Sequence, residues 1–162
     1  WFIGRFFKPW KVYIYELPNA LPRVYAPNGI VPVDDGVTQE RLHELIGANG
    51  IDRKIVVRKT ELEKISPLFH SRESTVKIRG FKLVQNGYQV NTMSSTGGLV
   101  VINASYYPFF SARTGGKALP IISVNEVQMA IEVPPGEQLV SVIYQRPRLA
   151  TKISEMSRLM LD

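Results

Sequence analysis

There is no cysteine in this chain of 162 residues. Disulfides, zinc–thiolate sites and cysteine nucleophiles are excluded together. The compartment stays open, because exported bacterial proteins also do without cysteine. No apolar run approaches the roughly eighteen residues that a membrane-spanning helix needs. Histidine is scarce: His43 and His70 are the only two. Neither lies beside a candidate nucleophile, so no triad pattern shows. The chain opens on Trp1 without a methionine and shows no signal-peptide pattern. It is read as a piece of a longer protein.

What is present suffices for one packed domain. Hydrophobic residues make up 44% and charged residues 21%, ordinary values for a chain that fills a core. Net charge is +6. Between Arg53 and Lys82, nine basic residues stand against three acidic ones, a surplus equal to that of the whole chain. Such a region favours an anionic neighbour: lipid headgroups, nucleic acid or an acidic glycan. Its plain alternative is a solvated strand face. Residues 1–10 mix five aromatics (Trp1, Phe2, Phe6, Phe7, Trp10) with Arg5 and Lys8, a composition suited to a water–lipid interface. Packing of Trp10 into the domain would explain the same residues.

The stretch 97–144 organises the rest. Residues 99–102, Leu-Val-Val-Ile, form an unbroken apolar run and read as a strand buried on both faces. Pro108 stops further pairing. Thr114-Gly115-Gly116-Lys117 is a tight hairpin turn, two glycines supplying positive φ. Val127, Met129, Ile131 and Val133 alternate with Gln128, Ala130 and Glu132, which predicts a half-buried strand. Pro134-Pro135-Gly136-Glu137 is a turn, and residues 139–144 are the strand that returns. This third of the chain is expected to be antiparallel β, four strands deep.

Upstream, residues 11–17 alternate as a strand, and residues 23–26 form a short second one. Asp34-Asp35-Gly36 is a turn; no third ligand is spaced for a metal, so no metal and no cofactor is expected. Thr38 caps a helix with Leu42, Leu45 and Ile46 in a stripe, ending at Gly47 or Gly50. His43 falls beside that stripe, at the surface or its boundary. Residues 55–57 are a strand. Residues 61–68 read as a helical turn stopped by Pro67. Val76 and Ile78 are apolar at even positions, Phe81 and Leu83 at odd ones, so a bulge is expected at Gly80. Asn86-Gly87 predicts a hairpin pairing Leu83 with Val90 and placing Phe81, Leu83, Tyr88 and Val90 on one face. Leu149, Ile153, Met156 and Met160 mark a C-terminal amphipathic helix.

These readings predict a mainly β fold: an antiparallel β-sandwich, jelly-roll or carbohydrate-binding-module-like, with one short inserted helix and a C-terminal helix. The expected divisions are a linker over residues 1–9, the sandwich over 10–147 and the helix over 148–162.

Three segments together resemble a known family. They are the residues from Trp10-Lys11-Val12-Tyr13 to Ala20-Leu21-Pro22-Arg23-Val24-Tyr25, the helix–loop–strand over 42–57, and a strand ending in Tyr106-Tyr107-Pro108 followed by the Gly116-Lys117 hairpin and Val133-Pro134-Pro135-Gly136-Glu137. In order and spacing the chain resembles the C-terminal extracytoplasmic domain of YfhO-type bacterial multi-spanning membrane proteins, a branch of the polytopic glycosyltransferase-like superfamily. It departs from them at Pro108-Phe109-Phe110, where Pro-Gly-Trp is usual, and over 148–162, which is too polar to span. The resemblance implies a module on the extracytoplasmic face of a bacterial membrane, attached to the membrane portion of its parent. The superfamily's catalytic acids lie upstream, so it implies no catalytic residue in this chain.

The leading functional expectation is a non-catalytic module that contacts a glycan or a lipid-linked sugar. The candidate contacts are Tyr106, Tyr107, Phe109, Phe110 and Arg113, since aromatic faces suit sugar C–H surfaces and Arg suits anionic groups. The alternatives are a purely structural cap on the membrane body and, ranked lower for want of interleaved stacking aromatics, a basic nucleic-acid-binding domain.

Overall fold

A computed structural model describes residues 21–50, 53–69 and 74–145. The linker expected through residue 9, the strand over 11–17, His70 and the C-terminal helix lie outside the described residues.

The chain forms strands β1 (Val24–Tyr25), β2 (Gly29–Val33), helix α1 (Gln39–Gly50), β3 (Lys54–Arg58), helix α2 (Lys59–Leu62), a 3-10 turn (Pro67–Phe69), β4 (Lys77–Val84), β5 (Gly87–Ser94), β6 (Gly98–Ser105), β7 (Phe110–Thr114), β8 (Lys117–Leu119), β9 (Ile121–Val124), β10 (Gln128–Val133) and β11 (Gly136–Tyr144). Two antiparallel sheets face each other. One has the order β1-β6-β10-β9 and the other β4-β5-β11-β7-β8. The fold is a mainly β sandwich, as the sequence predicts.

A third layer was not legible in the sequence. Strands β2 and β3 pair in parallel, and α1 connects them. Parallel pairing needs such a crossover, because a two-residue turn cannot reverse the chain twice. The ribbon lies on the outer side of the four-stranded sheet, with α1 on the ribbon's far side. Thr38 caps α1 as expected: its hydroxyl accepts from the Arg41 N–H at 3.4 Å. Val56 points to Leu42 on α1, while Ile55 and Val57 point to the sheet.

The four-stranded sheet is therefore covered on both faces. Val100, Ile102, Met129, Ile131 and Val133 fill the sandwich interior. Their neighbours Leu99, Val101 and Ala130 face the ribbon and α2, with Ile122, Val124, Leu62, Ile65 and Phe69. Each fully buried aliphatic side chain contributes about 1.5–3 kcal/mol. The expectation of a half-buried strand over 127–133 is corrected by this layer: Ala130 is as buried as Met129, and Val127, just before the strand, is 60% exposed.

Three further expectations are corrected. Residues 98–144 hold six strands, not four, shared between two sheets. Strand β11 does not return along β10; after Pro134-Pro135 it crosses to the other sheet and pairs with β5 and β7. The helical turn begins earlier, at Lys59, and Pro67 opens the 3-10 turn instead of ending a helix. The bulge at Gly80 is present, with the register shifting between Ile78 and Gly80. The hairpin it precedes is offset by two residues: Leu83 opposes Tyr88, and Phe81 opposes Val90. Asn86 takes φ +61°, so Gln85-Asn86 makes the loop. Gly87 enters the strand because β11 leaves no room beside it; a Cβ there would sit 1.9 Å from the Val142 carbonyl oxygen. An even offset keeps side chains on their faces, so the predicted apolar face survives.

One residue ties the ribbon to the sheet. Asn125 lies between β9 and β10 at φ +48°. Its backbone N–H donates to the Val56 carbonyl at 2.9 Å, and its side-chain Oδ1 accepts from the Val56 N–H at 2.8 Å. The side chain thus completes a strand-like exchange that the backbone alone cannot make. Asn125→Ala leaves the buried Val56 N–H unpaired and places a Cβ without compensation at positive φ. A loss of about 2–3 kcal/mol is expected in urea unfolding. Asn125→Gly keeps the backbone conformation and is expected to lose about 1 kcal/mol less.

Candidate functional site

The β6–β7 connection carries the sequence-predicted site residues, and the strand pattern sorts them into three groups. Tyr106 and Phe110 are half-buried and pack on the sandwich interior. Tyr107 and Phe109 are 55% and 44% exposed. Arg113 is exposed and lies on the opposite, outer face of the five-stranded sheet. Alternation forces this, because Ala112 and Thr114 on either side of it are buried. The structure therefore brings Tyr107, Phe109 and Phe110 together around Tyr144, packs Tyr106 on the core and leaves Arg113 apart.

Tyr144 holds the aromatic group in place. It opposes Phe110 across the β11–β7 ladder, and their ring centres are 5.4 Å apart. It also meets Tyr107 at 6.5 Å and Phe109 at 6.2 Å, both edge to face. Edge-to-face pairs place the positive ring edge on a negative ring face and fix orientation. The row continues inward: Phe110 stacks with Tyr88 at 6.2 Å, and Tyr88 with Phe81 at 6.0 Å. Exposed Leu83 opposes Tyr88 at the same end of the sheet. Sequence reading put Phe81 and Tyr88 on one face but did not reach Tyr144. Its part depends on the β11–β7 register, and no local pattern encodes that.

A concavity lies where α1, β3, α2 and the β9–β10 loop meet. It has a volume of about 280 Å³ and includes Gln39, Arg58, Glu61, Ser123 and Glu126 among its polar lining residues. Each charged group there already has a protein partner. Glu61 accepts from the Ser123 N–H at 2.9 Å and pairs with Lys64. Arg58 donates to the Asp35 carbonyl at 2.6 Å. Glu126, at φ +67°, meets His43 Nε2 at 2.9 Å. The Ser123 hydroxyl donates to the Glu126 carbonyl at 3.2 Å, not to a side-chain base. The Glu61–Ser123 and His43–Glu126 bonds join the covering layer to the sheet, and none of the bonds pairs the Ser123 hydroxyl with a side-chain base. Among the described residues, no group of three His, Asp or Glu side chains could hold a metal ion.

Beneath this joint runs a partly buried polar chain. The Tyr25 hydroxyl and the Asn125 amide both donate to Gln128 Oε1, at 3.1 and 2.9 Å. Gln128 Nε2 donates to Asn103 Oδ1 at 2.9 Å. The register shift between Gln128 and Met129 turns Gln128 into this position. Burial pushes the Tyr25 hydroxyl from 10.0 up to about 12, with the hydrogen bond to Asn125 pulling the other way. The folded protein thus keeps this proton after the unfolded chain has released it. Stability is expected to fall as pH rises from about 10 to about 12. Urea unfolding across that window should show a shallower decline in Tyr25→Phe than in the native chain.

Comparison with family models, with curated proteins and with solved structures finds no match to this chain.

Proposed function

We propose that this chain is a non-catalytic β-sandwich module that contacts a glycan or lipid-linked sugar through the aromatic end of the sandwich. The observation that carries the reading is the pair of exposed rings, Tyr107 and Phe109, each set edge to face on Tyr144. Rings fixed in advance lose little freedom on binding, and their faces suit the C–H surface of a pyranose. The concavity at the ribbon supports the non-catalytic part of the reading, since its ionisable groups are taken up in internal bonds. The resemblance to YfhO-type domains would place the module on the extracytoplasmic face of a bacterial membrane, against the membrane portion of a glycosyltransferase-like parent. Among the described residues, no helix is long and apolar enough to cross a membrane.

A second reading, a structural cap on that membrane portion, is favoured by exposed Leu83, which opposes Tyr88 at the same end of the sheet. An apolar end of this kind also suits a protein partner.

NMR titration with cell-envelope oligosaccharides separates the two. Glycan recognition predicts amide shifts at Tyr107, Phe109 and Tyr144. In a Tyr107→Ala, Phe109→Ala double variant with unchanged melting temperature, those shifts should fall at least tenfold in apparent affinity, the order expected when two stacking rings are removed. No shift in the native chain would rule out glycan recognition and leave the cap.

A further inference from the structure

The outer face of the five-stranded sheet carries a charge pattern that the glycan reading does not use. Strand alternation sends Lys77 and Lys82 of β4, Met93 of β5, Arg113 of β7 and Leu139 of β11 to this face, and Arg79 reaches it from the bulge. All six are exposed. Glu137, also exposed, is the acidic residue among them. Among the described residues, none of the four cations is ion-paired with a carboxylate, and Arg79 donates instead to Met93 Sδ at 3.1 Å.

The charge belongs to one surface although it comes from distant parts of the sequence. Lys82, Gln89, Ser141 and Arg113 form one row across four strands. Three strand spacings put the two cations about 14 Å apart. That exceeds the screening length of about 8 Å at physiological salt, so each acts on a charged plane as a separate contact. Leu139 and Met93 stand among the cations, 53% and 45% exposed. Exposed aliphatics beside Lys and Arg suit the boundary between headgroups and acyl chains. The described part of this face has no aromatic ring on which a nucleobase could stack.

We infer that this face docks on an anionic lipid bilayer, with Lys77, Arg79, Lys82 and Arg113 against the headgroups and Leu139 and Met93 at the interface. The inference is independent of glycan recognition, which uses the aromatic end of the sandwich.

Cosedimentation of the 162-residue chain with sugar-free vesicles tests it. Binding is expected to phosphatidylcholine vesicles that contain phosphatidylglycerol, to weaken as salt rises, and to be absent with phosphatidylcholine alone. Lys82→Glu with Arg113→Glu should lower the partition coefficient more than roughly tenfold. Arg41→Glu on α1, on the far side of the molecule, should leave it unchanged. If the double reversal does not fold, Lys82→Gln with Arg113→Gln should give a smaller loss in the same direction. No binding to the anionic vesicles would overturn the inference. So would equal binding to neutral ones, an equal loss in Arg41→Glu, or binding to a labelled oligonucleotide in place of vesicles.

Discussion

The structure depends on burial of its four-stranded sheet from both sides. A sandwich sheet ordinarily shows one face to water and alternates accordingly. Here β6 and β10 bury both parities: Val100, Ile102, Met129 and Ile131 go inward, and Leu99, Val101 and Ala130 go outward. Without the ribbon and α2, that outward set would be an exposed apolar surface on the middle of the sheet. The β2–α1–β3 unit is thus a cover that the sheet requires. It is held by packing along Ile55 and Val57 and by the paired hydrogen bonds between Asn125 and Val56.

Polar groups at this junction follow from the same constraint. A cover laid over a sheet leaves backbone donors and carboxylates at its edge. They need partners, because an unpaired buried group costs about 1–3 kcal/mol. Glu61 takes the Ser123 N–H, Glu132 the Ser66 N–H, and Asn125 the Val56 N–H. Among the described residues, no buried side-chain nitrogen or oxygen is left without a hydrogen bond. The concavity there is the seam of this joint. It gathers His43 and Glu126, yet the serine nearby points to a carbonyl. The groups open to a partner lie elsewhere, at the aromatic end and on the outer face of the other sheet.

Much of the sandwich was legible because local chemistry agrees with it. The apolar run at 99–102 announced a doubly buried strand, the two glycines at 115–116 a hairpin, and the phase slip at Gly80 a bulge. What sequence reading missed was non-local. Residues 29–33 are short, hold Pro32 and show no clean alternation, so β2 was invisible until its parallel partner was known. Reading 127–133 as half-buried followed from Gln128 and Glu132, but both point into the joint, where their polar ends are bonded. Gly87 looked like a turn residue, and its actual reason is the close approach of β11. Within the candidate site, Tyr107 and Phe109 were found from composition and position. Tyr144 was not, because its contacts depend on the ladder between β7 and β11, and Arg113 was grouped with the aromatics although alternation sets it on the opposite face.

The two-sided burial of the central sheet is tested most directly by native-state hydrogen exchange. If the ribbon is a necessary layer, the Val56 amide and the amides of β6 and β10 exchange through one shared opening, with the free energy of global unfolding. If Val56 instead exchanges through a separate, lower-energy opening while β6 and β10 stay protected, the ribbon is an independent appendage and the account is wrong.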